Sequence, residues 1–283
     1  ASLSPLLMRG GVLLSFALVA KRRLGMRVAS PSAARTLDDV EVVQVEVPLR
    51  DGREVRIYEV RDHDDALDLA IGEDTDPFGA ICWPSAVGLA NALVDIGDLQ
   101  GVDVLEIGAG TGLCSFVAKD LGAGEVTATD IAPFTLKLLR AGAEAYDVDV
   151  QRLDVRDVDA VLDVARRRRR RREKGPLLVV SSDLLYEPDL ARALATALNA
   201  LLREDKTVAA LVADPGRAKG RRAFLDALDD AYGADLQFRT AAATRQVTTN
   251  GGSRLGAADT VGILRLRLNE VLAGSNNNAP SYK

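Results

Sequence analysis

The stretch Val102-Asp103-Val104-Leu105-Glu106-Ile107-Gly108-Ala109-Gly110-Thr111-Gly112 decides the fold. A short apolar run ends in three glycines within five residues, and Leu113, Phe116, Val117 and Leu121 then follow at helical spacing. That is a strand, a tight loop and a helix. The order repeats downstream. "EVTATDI" (125–131) reads as a second strand, and "APFTLKLLRAGAEAY" opens a helix with Pro133 near its first turn. "VDVQRLDV" (148–155) is a weaker third strand. "LLVVSSD" (177–183) is a fourth, apolar enough for burial on both faces. Leu190, Leu194, Leu198, Leu201 and Leu202 mark the next helix, and "TVAALVAD" (207–214) is the fifth strand. A helix near 219–232 and the strands "LQFRTA" and "GILRLRL" complete the series.

Strands alternating with helices make a parallel sheet covered on both faces. The last two strands have no helical pattern between them, so they predict a hairpin with one antiparallel strand. The fold class expected is α/β, doubly wound, with a mostly parallel seven-stranded sheet. Upstream, Val43, Val45, Val47 and Leu49 alternate with Gln44, Glu46 and Pro48, and Asp51-Gly52 precedes the alternation at Val55 and Ile57. This predicts an N-terminal β-hairpin. "DHDDALDLAIGEDTDPFGA" (62–80) is loop-like, and Ala86 to Ile96 is helical in character. The expected organisation is 1–37 a targeting leader or disordered tail, 38–84 the hairpin and its connection, 85–270 the doubly wound domain, and 271–283 a disordered tail.

The formal charge of −5 is unevenly spread over the 283 residues. Six basic residues precede Asp38, the first acid, and seven more form the run Arg166–Arg172, leaving 23 basic against 41 acidic residues. An acidic globular body argues against general nucleic-acid binding, which needs a basic face. The arginine run reads as a solvated helix face or insertion, with an anchor for RNA or an acidic partner as the alternative. Cys82 and Cys114 make no C-x-x-C pair, and His63 is the single histidine, in a polar stretch. A multi-histidine metal site is therefore not expected. The first 37 residues contain Arg9, Lys21, Arg22, Arg23, Arg27 and Arg35 and no acid. Their apolar run, Gly10 to Ala20, is short for a membrane span. Such a leader points to a mitochondrion or plastid, with a secretory signal or an untargeted, cytoplasmic tail as alternatives.

The glycine loop follows the first parallel strand, where open α/β sheets bind ligands. A dinucleotide fingerprint G-x-G-x-x-G would need glycine at Leu113, and a P-loop would need a following lysine; both are missing. What stands here is an acid, Glu106, then Gly108, Gly110 and Gly112. This resembles the first motif of the seven-strand S-adenosylmethionine-dependent methyltransferases. The ligand implied carries an amino acid and a sulfonium cation, so an acid near the loop is compatible and a phosphate cradle unnecessary. Asp130 ends the second strand, where a carboxylate can accept both ribose hydroxyls, and Asp154, ending the third, could accept from the adenine amino group. A nicotinamide enzyme with a degenerate loop is the alternative.

Two further stretches narrow the likeness. "DPFGAICWPSAVGLANAL" resembles the D-P-[FY]-x-x-x-x-W-P segment of the family-16 methyltransferases, a group rich in protein lysine methyltransferases. "SSDLLYEPDLARAL" resembles their D-x-x-[YF] motif, here Asp183 to Tyr186. "DPGR", Asp214 to Arg217, is similar to a motif of the mitochondrial branch that modifies the β subunit of electron-transfer flavoprotein. The resemblance covers roughly residues 76 to 230. It implies S-adenosylmethionine as cofactor, a lysine on a protein substrate as acceptor, and Asp183 and Tyr186 facing the methyl group. Trp83, Glu106, Gly108, Ala109, Gly110, Gly112, Asp130, Ile131, Asp154 and Ser182 would bind the cofactor. One position departs: family members often carry an aromatic after the third-strand acid, and here it is Val155. Blander roles stay open, namely core packing for Trp83, a helix-start position for Tyr186, an N-cap for Asp183 and loop support for Glu106. A small-molecule N- or O-methyltransferase, or a cofactor-binding protein without turnover, is the alternative function.

Overall fold

The computed structural model describes residues 27–28, 35–61, 77–169, 175–228, 239–242 and 260–268. His63, most of the basic leader, Arg170–Arg172 and the C-terminal tail lie outside the described residues.

The N-terminal unit is an antiparallel sheet of four strands, β1 (Arg27–Val28), β2 (Arg35–Leu37), β3 (Val40–Pro48) and β4 (Glu54–Val60). β3 and β4 form the expected hairpin, in register from Val42–Val60 to Pro48–Glu54. Two short pieces of the basic leader also pair with β3, Arg27 opposite Glu46 and Arg35 opposite Val42. The alternation seen in the sequence is the buried face, since Val43, Val45, Val47, Val55 and Ile57 all enter the core.

A turn of 3-10 helix, Pro77–Ala80, leads into α1 (Pro84–Ile96). Then come β5 (Asp103–Ile107), α2 (Leu113–Asp120), β6 (Val126–Asp130), α3 (Pro133–Ala143), β7 (Asp149–Arg152) and α4 (Val158–Arg169). β8 (Leu177–Ser182), α5 (Pro188–Glu204), β9 (Val208–Asp214), α6 (Ala218–Ala227), β10 (Arg239–Ala242) and β11 (Thr260–Leu266) follow. The seven strands lie in the order β10-β11-β9-β8-β5-β6-β7. β11 runs antiparallel to both its neighbours, and the pairs among β5 to β9 are parallel. This is the sheet expected from the sequence, including its single antiparallel strand.

Alternate residues of each central strand feed opposite cores. Val104, Leu178, Val180 and Leu211 pack with α1, α2 and α3 and with the hairpin. Leu105, Ile107, Val179 and Val212 pack with α4, α5 and α6. α5 contributes Leu190, Leu194, Leu198, Leu201 and Leu202, all buried. Burying each such side chain stabilises by roughly 1.5–3 kcal/mol. The first arginines of the run continue α4, where Arg166 bonds Glu204 of α5 through Nε at 2.8 Å and an NH2 at 2.7 Å.

Strand order also locates the site. The chain leaves β5 toward β6 and β7, then returns to β8 on the other flank of β5. The loops after β5 and β8 thus diverge from adjacent strands, which opens a crevice at their carboxyl ends.

Candidate active site

The loop after β5 occupies one side of that crevice. Gly108, Gly110 and Gly112 all take left-handed backbone, with φ of 69°, 53° and 83°. Glycine reaches that region without the Cβ penalty. At Gly112 space is limiting too, because an added Cβ would lie 2.4 Å from Leu139 Cδ1 and 2.7 Å from Phe116 Cζ. The loop folds on itself: Gly112 N–H donates to Ala109 O at 2.8 Å, and Ala109 N–H donates to Thr129 O at 2.8 Å. Gly110 N–H donates to Asp130 Oδ2 at 3.0 Å. Three amides that a phosphate cradle would aim at an anion are therefore engaged within the protein.

Glu106 lies beneath the loop and is 1% exposed. Its Oε2 accepts from Ser115 N–H at 2.8 Å and from the Ser115 hydroxyl at 2.5 Å, bracing the first turn of α2. Burial raises its pKa to about 7, against the opposing pull of the Ser115 bonds. A buried acid below the loop is a further reason against phosphate. Burial likewise pushes the neighbouring Cys114 thiol well up, which makes it a packing residue.

Asp130 ends β6 and is buried. Oδ2 accepts from Gly110 and Oδ1 from Ala132 N–H at 3.1 Å, so one carboxylate ties the glycine loop to the start of α3. Ile131, the next residue, is half-buried, and its carbonyl accepts from Arg152 Nε at 3.3 Å. Asp154 stands just past β7, half-buried, with Oδ1 turned to Arg156 N–H at 3.0 Å.

β8 supplies the opposite wall. Ser182 is buried near Cys114. Asp183 follows, 9% exposed, in a left-handed conformation with φ of 64° that aspartate tolerates better than most residues. Its N–H donates to Ala213 O at 3.0 Å, and its Oδ1 accepts from an NH1 of Arg217. Oδ2 is buried and has no hydrogen-bond partner among the described residues. Leu184 then packs on the glycine loop, 2.7 Å from where a Cβ on Gly108 would sit.

Aromatic rings link this turn to the segment before α1. Phe78 meets Trp83 edge-to-face at 6.0 Å between centroids and Tyr186 at 5.7 Å. Trp83 Nε1–H donates to the Phe78 carbonyl at 2.8 Å, which fixes the indole. The same segment abuts the loop, since a Cβ on Gly110 would lie 3.2 Å from Gly79 O.

The glycine loop, Asp130, Ile131, Ser182, Asp183, Tyr186 and Trp83 are thus drawn to the carboxyl ends of β5, β6 and β8. Asp154 stands further along that edge, beyond β7. Phe78 and Arg217 were not picked out as site residues from the sequence. Phe78 was nonetheless part of the quoted D-P-F motif and Arg217 the end of "DPGR". No cluster of three or more potential metal ligands occurs among the described residues.

The family model for lysine methyltransferases matches residues 63–231, more than half of the chain and every wall of this crevice. The chain belongs to that family. Among curated relatives, a protein-lysine methyltransferase of Bos taurus is 51% identical over 67 residues, covering 23% of this chain and 23% of the relative. The electron transfer flavoprotein beta subunit lysine methyltransferase of Homo sapiens is 30% identical over 144 residues, 50% of this chain and 51% of that protein. The chain therefore spans about half the length of the human relative and a quarter of the bovine one. A ribosomal protein L11 methylase structure from Lactobacillus delbrueckii subsp. bulgaricus is similar at 18% identity and a TM-score of 0.40, over 63% of this chain and 75% of that one.

The family cofactor is S-adenosylmethionine, and the crevice fits it on three counts. The loop glycines let backbone lie close to a ligand. Asp130 sets a carboxylate, the acceptor group that suits a vicinal diol, against that loop. The engaged loop amides and buried Glu106 suit a ligand without phosphate.

Proposed function

We propose that this lysine methyltransferase family member transfers methyl from S-adenosylmethionine to a lysine side chain of a protein substrate. The observation that carries the reading is the buried, unpartnered Oδ2 of Asp183, held on the turn that also presents Tyr186 and packs against the glycine loop. When bound, S-adenosylmethionine supplies a methyl on a sulfonium sulfur that leaves as a neutral thioether. The protein's share is positioning. Asp130 would accept the ribose hydroxyls, with Gly108, Ala109, Gly110 and Gly112 shaping the floor. Trp83 and Ile131 would flank the adenosine, Ser182 and Glu106 support the loop from behind, and Asp154 receive the adenine edge.

A lysine ammonium has no lone pair and must lose its proton to solvent before attack. The neutral amine then forms the N–C bond as the C–S bond breaks, and positive charge grows on nitrogen. Asp183 Oδ2 would accept a hydrogen bond from that nitrogen and stabilise the growing charge. Tyr186 would wall the amine by its ring face or hold it by its hydroxyl. Two curated relatives are named for lysine methylation of proteins, which supports the acceptor class. The basic leader supports a mitochondrial setting.

The test is transfer of labelled methyl from S-adenosylmethionine into a soluble mitochondrial extract, comparing wild type with Asp183→Ala. Label in a discrete protein band, lost in the variant, is the expected result. Label confined to small molecules would replace the protein acceptor by a metabolite, and no label despite cofactor binding would make the chain a silent binder.

A further inference from the structure

Asp183 belongs to a four-residue charge network whose other three members, Asp214, Arg217 and Arg221, the reaction described above leaves unused. Asp214 ends β9 and is 0% exposed. Its Oδ2 gathers the N–H groups of Gly216 at 2.7 Å and Arg217 at 3.1 Å, and Arg221 Nε at 2.9 Å. Arg221 also donates to the Asp214 carbonyl at 3.0 Å. Asp214 is thus supplied with a cation by Arg221 and with two backbone donors. The guanidinium of Arg217 is left for Asp183, and it lies 3.9 Å from Asp214 Oδ1. Burial raises the pKa of Asp214, and both arginines counter it.

We infer that Arg217 is a positioning residue for methyl transfer: it holds Oδ1 of Asp183 so that Oδ2 is the oxygen presented to the substrate amine. The inference rests on the lysine-methylation reading. Asp183 is gripped at both ends, by its backbone bond to Ala213 and by Arg217 at its tip. A carboxylate so held does not have to give up χ2 freedom when the amine arrives. The four charges also balance, two carboxylates against two guanidiniums. An unbalanced Asp183 would favour the ammonium form of the incoming lysine, which cannot attack. Arg217 opposes that preference. The groups that set the proton affinity of the bound amine are therefore Asp183, Asp214, Arg217 and Arg221, with the Tyr186 hydroxyl alongside.

The experiment compares wild type, Arg217→Gln and Arg217→Lys for initial rates of label incorporation into the protein of a mitochondrial extract. The extract is titrated to saturation across pH 6.5 to 9.5, with S-adenosylmethionine affinity and thermal midpoint measured in parallel. Arg217→Gln is expected to lose about 10- to 100-fold in kcat and to need higher pH to reach its plateau. Cofactor affinity and folding should be retained, and Arg217→Lys should restore the wild-type pH profile and part of the rate. Arg217→Met replaces the glutamine variant if that one does not fold. Wild-type kcat and pH profile in the uncharged variant overturn the inference. So does a lower rate that follows lost cofactor affinity or lost fold with the profile unmoved. Absence of label with the wild type rejects the lysine-methylation reading, and this inference with it.

Discussion

Asp130 ends β6 and Asp183 directly follows β8, the two strands that flank β5, and the two carboxylates are wired to different ends of the proposed reaction. Asp130 bonds the glycine loop and α3. Asp130→Ala should therefore abolish S-adenosylmethionine binding measured by calorimetry, while Asp183→Ala should bind the cofactor normally and turn over nothing. Full turnover by Asp183→Ala would remove it from the chemistry. Glu106 makes a different prediction, about pH. Its folded pKa of about 7 exceeds the ordinary 4.5, so the folded chain holds a proton that the unfolded chain releases. The stability tied to that proton is complete below about pH 4.5 and is lost as pH rises through 7. It amounts to on the order of 3 kcal/mol. Denaturant titrations should show wild type losing stability relative to Glu106→Gln between pH 5 and 7.5, and a constant difference would refute the buried-acid account. Gly112→Ala should cost about 2–4 kcal/mol, from a left-handed φ and a Cβ inside Leu139 and Phe116. The three glycines were legible in the sequence because few other residues satisfy positive φ. The Arg217–Asp183 pair was not, since its members lie 34 residues apart and only the pairing of β8 with β9 unites them.

At the scale of elements, the hairpin docks on the central fold through its buried valines and, at one edge, through an aromatic residue of the connection between α3 and β7. Tyr146 stacks on Phe116 of α2 at 4.5 Å between centroids and 6° between planes. Its hydroxyl accepts from Arg56 N–H on β4 at 2.9 Å. Tyr146→Phe keeps the stack and orphans that N–H, so it should lower stability by about 1 kcal/mol in a denaturant titration and leave cofactor affinity unchanged. A loss above 3 kcal/mol would mean that the hairpin is docked mainly through this contact. Hairpin and parallel strands were both legible, because period-two alternation and continuous apolar runs are local. The pairing of Arg27–Val28 and Arg35–Leu37 with β3 was masked by composition. A basic, acid-free stretch read as a leader, and two- or three-residue strands are too short to show a period.

For the molecule as a whole, the crevice is assembled from both halves of the sheet, so a ligand that fills it should be felt globally. At a hundred times its dissociation constant, S-adenosylmethionine should add about 2.7 kcal/mol to unfolding stability and raise the melting temperature by roughly 5 °C. Asp130→Ala should abolish that shift. An unchanged melting temperature in the wild type would leave the cofactor reading without support. No helix among the described residues is long and apolar enough to cross a membrane.

The 3-10 turn Pro77–Ala80 carries the last consequence. Phe78 touches both Trp83 and Tyr186, and the Gly79 carbonyl rests against Gly110. One wall of the crevice is therefore contributed by chain that precedes the first strand of the parallel sheet by more than twenty residues. A fragment excised at Pro84 would retain all seven strands and all six helices, yet its crevice would stand open to water on the side where the aromatic rings meet.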